Sequence, residues 1–236
     1  MPIFEVLCLA NSRKNSGRCI AGLRTDGHGW IRPVSSKTGA TLSLGNYRLD
    51  CLNVPKIFDI IRIEFEEHCP LLNQPENWLI SDKTWNLISR PAPIETIKQL
   101  ITNSLNKRGT LLGNYSDRIN YNVLIAEPSK ESLTLLRPQN LHWKIQSGIT
   151  GKRQTRAVFS LGNTKYDLVI TDPEWEDILA VLPPGLHPAR SVHLDEFEPE
   201  QLLFTVSLGE PFNGDCYKLV AGIIELNLFN LDINSN

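Results

Sequence analysis

The sequence predicts a mainly β protein built from two β modules, each of the size of a small barrel or sandwich, joined through one amphipathic helix. Short apolar runs of strand length recur along the chain, each closed by a polar, glycine- or proline-bearing break. One longer segment, residues 94–105, instead carries its apolar residues at helical spacing. A chain of 236 residues with 41% hydrophobic content has room for two such modules and apolar side chains for both cores.

The elements follow in order. Residues 3–9 are an apolar run with one charge, Glu5, and they lead into the polar loop 11–17 that ends a strand. A second strand is expected over 18–23. Asp26-Gly27-His28-Gly29 is a turn signal, because glycine adopts positive φ without steric cost. Residues 30–34 read as a third strand in which Pro33 marks an edge or an exit. Ile60, Ile61, Ile63 and Phe65 alternate with polar partners, as in a half-buried strand.

Ile94, Ile97, Leu100, Ile101 and Leu105 define the helix, with Pro91 and Pro93 before it and Gly109 beyond; the stripe is expected to be core. Residues 133–137, 143–146, 155–161 and 166–171 return to β character. Asp172 as N-cap and Pro173 at the first position open a short helix. Two apolar strands, 202–208 and 218–226, close the chain around a loop at 209–215. The modules are placed at 1–110 and 132–228, with a connecting segment at 111–131 and a tail at 229–236; fraying is expected from Asn227 onward.

Composition argues against several classes. Cys8, Cys19, Cys51, Cys69 and Cys216 are scattered without a CxxC pair, which suits reduced thiols and a cytoplasmic protein. No secretory signal is expected, and no stretch nears the ~18 uninterrupted apolar residues that cross a bilayer. His28, His68, His142, His187 and His193 lack ligand spacing, so no metal is expected; nor is a cofactor. GxxxxGK[ST], a strand-borne GxGxxG and GxSxG are all missing, and no carboxylate pair stands at useful spacing, so catalytic residues are not assigned. Net charge is −2, against a generic polyanion binder. The charge is nevertheless blocked: 137–165 holds six basic residues and no acidic one, while 172–200 holds eight acidic residues against Arg190 alone.

Several stretches, taken in this order, resemble the dual OB domain-containing proteins, a bacterial family. They are Cys8-Leu9-Ala10-Asn11-Ser12-Arg13-Lys14, Gly17-Arg18-Cys19-Ile20-Ala21-Gly22 and Gly29-Trp30-Ile31-Arg32-Pro33-Val34, then Gln74-Pro75-Glu76-Asn77-Trp78. Thr205-Val206-Ser207-Leu208-Gly209-Glu210-Pro211-Phe212 and Tyr217-Lys218-Leu219-Val220-Ala221 complete the set. The resemblance implies two OB-like barrels and nucleic-acid binding in a bacterial conflict or defence system. OB barrels also hold oligosaccharides and proteins, so the fold alone does not fix the ligand.

Binding to single strands needs cations for phosphates and flat rings for bases. Arg13, Lys14, Arg18, Trp30 and Arg32 supply both within twenty residues and form the first expected contact surface. Against it stands a core Trp30 and an Arg32 paired with Asp26 or Asp50. Lys152, Arg153 and Arg156, beside Trp143-Lys144 and a glycine-flanked hairpin tip, form a second. Ser207, Glu210, Tyr217 and Lys218 make a nucleotide pocket, where Glu210 suits a base edge or ribose hydroxyl better than a phosphate. The leading expectation is non-catalytic binding of single-stranded nucleic acid or a nucleotide. The alternatives are a protein-interaction adaptor using the acidic stretch 174–200, with an operon neighbour as partner, and a nucleic-acid-modifying enzyme using Glu210, Lys218 and Cys19.

Overall fold

Strands β1 (Ile3–Lys14) and β2 (Gly17–Arg24) form an antiparallel hairpin in the computed structural model, which describes residues 1–14, 16–50, 53–148, 151–192, 197–229 and 231. Asn15, Cys51, the hairpin tip 149–150, His193, the acidic Asp195 and Glu196, and the tail from 232 lie outside that set. β3 (Trp30–Val34), the single turn α1 (Leu44–Tyr47), β4 (Ile60–His68), β5 (Asn77–Ile80) and β6 (Asn86–Ser89) follow. The strands lie in the order β1-β2-β3-β5-β4, and β4 pairs back onto β1, so five strands close into a barrel. β3 and β5 run parallel, with Arg32 opposite Asn77. Pro33 is therefore not at an edge. β3 leaves β2 at Ile31 and joins β5 from Arg32 onward, so the missing N–H falls where the pairing changes hands.

α2 (Ile94–Ser104) comes next, then β7 (Arg118–Asn120), α3 (Tyr121–Ala126), β8 (Leu133–Leu136), β9 (Gln139–Ser147), β10 (Arg153–Leu161) and β11 (Thr164–Ile170). α4 (Pro173–Ile178), β12 (Gly185–Pro188), β13 (Leu202–Phe212) and β14 (Asp215–Glu225) complete the chain. The order is β12-β9-β10-β11-β14-β13-β8, and β11 runs parallel to β14. Only Arg137 and Pro138 separate β8 from β9. Taken as one broken strand, β8/β9 repeats the topology of the first barrel, pairing with β10 at one end and β13 at the other.

The barrels meet along β1, β13 and β14. Small residues permit the approach: Ala10, Ala21 and Ala221 pack with Leu133, and a Cβ on Gly222 would lie 2.6 Å from the Leu9 carbonyl oxygen. Thr205 Oγ1 donates to that same oxygen at 2.7 Å. Ile97, Leu100 and Ile101 of α2 cover a shared core in which Leu7, Leu9 and Phe58 meet Leu135, Leu203 and Ile224. Ile94, expected in the stripe, is exposed at the helix start. Two residues of the tail are docked, against the expectation: Phe229 packs edge-on against Phe58 at 4.7 Å, and Leu231 is buried in the same core. The loop expected at 209–215 is mostly strand. Asn213 (φ 52°) and Gly214 (φ 84°) alone make the turn, while Gly209 and Pro211 sit at a β-bulge. No helix among the described residues is long and apolar enough to cross a membrane.

Asp172 caps α4, accepting from the Glu174 and Trp175 amides, and its second oxygen takes the Ile223 amide of β14 at 2.9 Å. Burial nevertheless pushes its pKa up to about 6 from 3.8. Between those values the folded chain binds a proton that the unfolded chain has lost, so this group's stabilisation is complete below about 3.8 and fades as pH rises through about 6. Melting curves from pH 3.5 to 7 should show that decline in the native chain and lack it in Asp172→Asn.

Candidate nucleic-acid interface

Period-two alternation sets one face of the second barrel. Trp143, Ile145, Ala157, Phe159, Tyr166 and Leu168 point inward to the core. The intervening Lys144, Gln146, Gln154, Arg156, Asp167 and Val169 therefore share the outer face of β9, β10 and β11, where they floor a groove of about 630 Å³. Ser147 and Gly148 form one wall; Gly209, Glu210, Phe212 and Tyr217 from the β13–β14 hairpin form another, with Arg118 beside them. A second hollow of about 550 Å³ shares Lys144 and Asp167 and continues past Val158 to Lys165 and Leu186.

The floor is a hydrogen-bonded network. Asp167 accepts from Lys144 Nζ at 2.7 Å and from Arg156 Nε at 2.5 Å. Arg156 Nη1 and Gln146 Nε2 both donate to Gln154 Oε1, at 2.9 and 3.1 Å. Burial works against the Asp167 carboxylate, but its two cationic partners outweigh it and hold the pKa below the usual range. At the lip, the Phe212 and Tyr217 rings lie 6.5 Å apart, and Phe212 is 55% exposed. Arg118 sits 5.0 Å over the Tyr217 ring and donates to its hydroxyl at 3.2 Å. The site thus offers two aromatic faces, amide and carboxylate hydrogen-bonding groups, and cations already paired with anions.

Both barrels share one topology, each with a parallel contact between its third and fifth strands, and a family model for the dual OB-containing domain matches residues 4–223. The chain belongs to this family. No curated protein sequence matches it. OB-fold domains generally bind nucleic acids or oligonucleotides, using the strand 2–3 face and the loops joining strands 1–2 and 4–5. In this dual OB chain those loops have different fates. The second barrel keeps its groove open between the β9–β10 hairpin and the β13–β14 hairpin. The corresponding loops of the first barrel lie against the second barrel. Lys14 at the β1–β2 turn reaches Glu210, and Asn73 and Gln74 between β4 and β5 donate to Gly209 O and Leu208 O.

That docking corrects the first expected contact surface. Arg32 is 1% exposed, and its Nη2 donates to Ser207 Oγ at 3.0 Å. Asp26, one partner considered for it, pairs with Arg24 instead. Trp30 packs half-buried against Ala10, Ala21 and Leu133, and Arg18 is half-buried beside Leu42. Arg13 is exposed but lies 3.6 Å from Glu176, while its backbone N–H donates to Thr171 O. The five side chains do not line one groove, because the second barrel covers much of their face.

The second expected surface divides. Arg156 is in the groove floor, Lys152 is exposed at the hairpin, and Arg153 turns away to donate to Leu179 O and Leu182 O. Of the nucleotide pocket, Glu210 and Tyr217 line the groove. Ser207 is buried under Arg32, and the ammonium of Lys218, also at the groove, is held inward by four oxygens. Cys19 does not line the groove with Glu210 and Lys218, so that trio does not converge. Within the acidic stretch, Glu176 lies by Arg13 and Glu200 pairs with Arg190. Among the described residues no three His, Cys, Asp or Glu side chains gather as metal ligands. The sequence reading does not single out Gln146, Gln154, Asp167 or Phe212; the polar alternation of β9, β10 and β11 is a signal that marks the first three, while Phe212 stands on β13 without one.

Proposed function

We propose that the chain binds single-stranded nucleic acid, one or two nucleotides at a time, in the outer groove of its second barrel. The observation that carries this reading is the Phe212–Tyr217 pair, Phe212 exposed and Tyr217 half-buried, beside a floor of Lys144, Arg156, Gln154 and Asp167. A groove of about 630 Å³ suits a nucleotide-sized ligand. Rings stack on any base, while amides and a carboxylate hydrogen-bond to base edges or ribose hydroxyls. Because Lys144 and Arg156 share Asp167, and Lys14 neutralises Glu210, the groove is not a continuous track for phosphates. The part in bacterial conflict or defence that the family resemblance implies belongs to this proposal as its setting.

Fluorescence anisotropy of labelled single-stranded DNA and RNA, titrated at two salt concentrations, tests it. Micromolar binding with a shallow salt slope, on the order of one or two released counterions, is the expected result. A slope several times steeper would move the site to an unpaired basic surface, and no binding at low salt would remove the proposal.

A further inference from the structure

The first barrel turns its ligand-side loops, together with Arg32 of β3, into a clamp on four successive residues of β13. Arg32 donates to Ser207 Oγ at 3.0 Å, Gln74 Nε2 to Leu208 O at 3.1 Å, Asn73 Nδ2 to Gly209 O at 3.0 Å, and Lys14 Nζ meets Glu210 Oε1 at 2.8 Å. The clamp reaches into one of the two irregular stretches of the β13–β14 ribbon. There the register jumps from Leu208↔Lys218 to Pro211↔Cys216, so Gly209 and Glu210 bulge opposite Tyr217 alone. A bulge re-aims side chains and leaves backbone groups unpaired, and here side chains of the other barrel take them up. The turn that carries the two amides is itself fixed. Leu71 and Gln74 exchange backbone hydrogen bonds, and Glu76 accepts from the Ser132 N–H and hydroxyl.

We propose that Lys14, Asn73 and Gln74 are positioning residues for the second-barrel groove: the first barrel sets the place and the charge of the wall that carries Gly209, Glu210 and Phe212. None of the three lines the groove. This rests on the reading of that groove as the nucleic-acid site. It also accounts for a carboxylate at the lip of a site for polyanions, since Lys14 masks Glu210 from phosphate.

The test combines hydrogen exchange of the free protein with oligonucleotide anisotropy, on Asn73→Ala/Gln74→Ala, Lys14→Met and Lys14→Arg. In the double variant, amides of Glu210 and Phe212 are expected to exchange at least tenfold faster while the β9 and β10 amides are unchanged, and affinity is expected to fall at least fivefold with the same salt slope. Lys14→Met is expected to weaken binding most at low salt, where the bared Glu210 repels phosphate most strongly, and Lys14→Arg is expected to restore it. Unchanged exchange at 210–212 would overturn the clamp, and faster exchange with native affinity would overturn its role at the groove. If the double variant loses its cooperative melt, the Met and Arg pair decides the matter. Failure of the native chain to bind any oligonucleotide would sink the nucleic-acid reading instead, and the exchange data would still judge the clamp.

Discussion

Replacing Phe212 and Tyr217 together by alanine is expected to weaken single-stranded oligonucleotide binding by about 30-fold or more, with little change in melting temperature. Base–aromatic stacking contributes roughly 1–3 kcal/mol per base, and each 1.4 kcal/mol is tenfold in affinity. Other terms at this site are too small to replace it. Lys144 and Arg156 are both engaged with Asp167, so their attraction for a phosphate is offset before a ligand arrives. Phe212 is 55% exposed beyond the core, which is why its loss should leave the fold intact. Phe212→Ala alone should give part of the effect. Tyr217→Phe, which keeps the ring and loses the hydroxyl contact with Arg118, should stay within a few-fold of the native chain. Native affinity in the double variant would take the rings out of the site and leave only the polar floor to explain binding.

The second large effect is on stability. Lys218→Met is expected to cost about 3–5 kcal/mol, read as a drop of the urea midpoint and of melting temperature by about 6–20 °C. Lys218 is 1% exposed, inside the end of the second barrel. Its ammonium donates to Leu111 O and Asn114 Oδ1 at 2.5 Å, to Ser116 O at 2.6 Å and to Asn114 O at 3.3 Å. One side chain thus fastens the 111–116 segment, which Tyr166 also touches through its hydroxyl at Asn114 O. Burial lowers the Lys218 pKa to about 8, so the group still carries its charge at neutral pH. Methionine matches its shape but leaves buried carbonyls without donors, each costing about 1–3 kcal/mol. A loss below about 1 kcal/mol would mean that those oxygens find water, and that Lys218 is dispensable to the fold.

Arg32 and Lys218 show where reading by residue type stops. Both are cations in β-leaning runs beside aromatic residues, and both fit the pattern of a nucleic-acid contact. One lies buried between the barrels and the other fills the end of a barrel. Long cationic side chains bury when fixed oxygens meet their donors, and those oxygens come from Ser207, 175 positions away, and from Leu111, 107 positions away. Glu210 shows the converse: a carboxylate unsuited to a phosphate site by its type is neutralised by Lys14, 196 positions away.

Strand alternation, the α2 stripe, the Asp172-Pro173 helix start and the mainly β class all follow from spacings of a few residues, and these were determined by the sequence itself. The groove floor was within its reach as well, because Lys144, Gln154, Arg156 and Asp167 occupy the polar phase of period-two runs. Which barrel keeps an open face was decided only by the tertiary structure. Small residues at Ala10, Ala21, Ala221 and Gly222 let the two barrels approach, and the bulge at Gly209–Glu210 then captures the first barrel's loops. That choice depends on surfaces far apart in the chain meeting face to face, and a contact of that kind leaves no local periodicity to read.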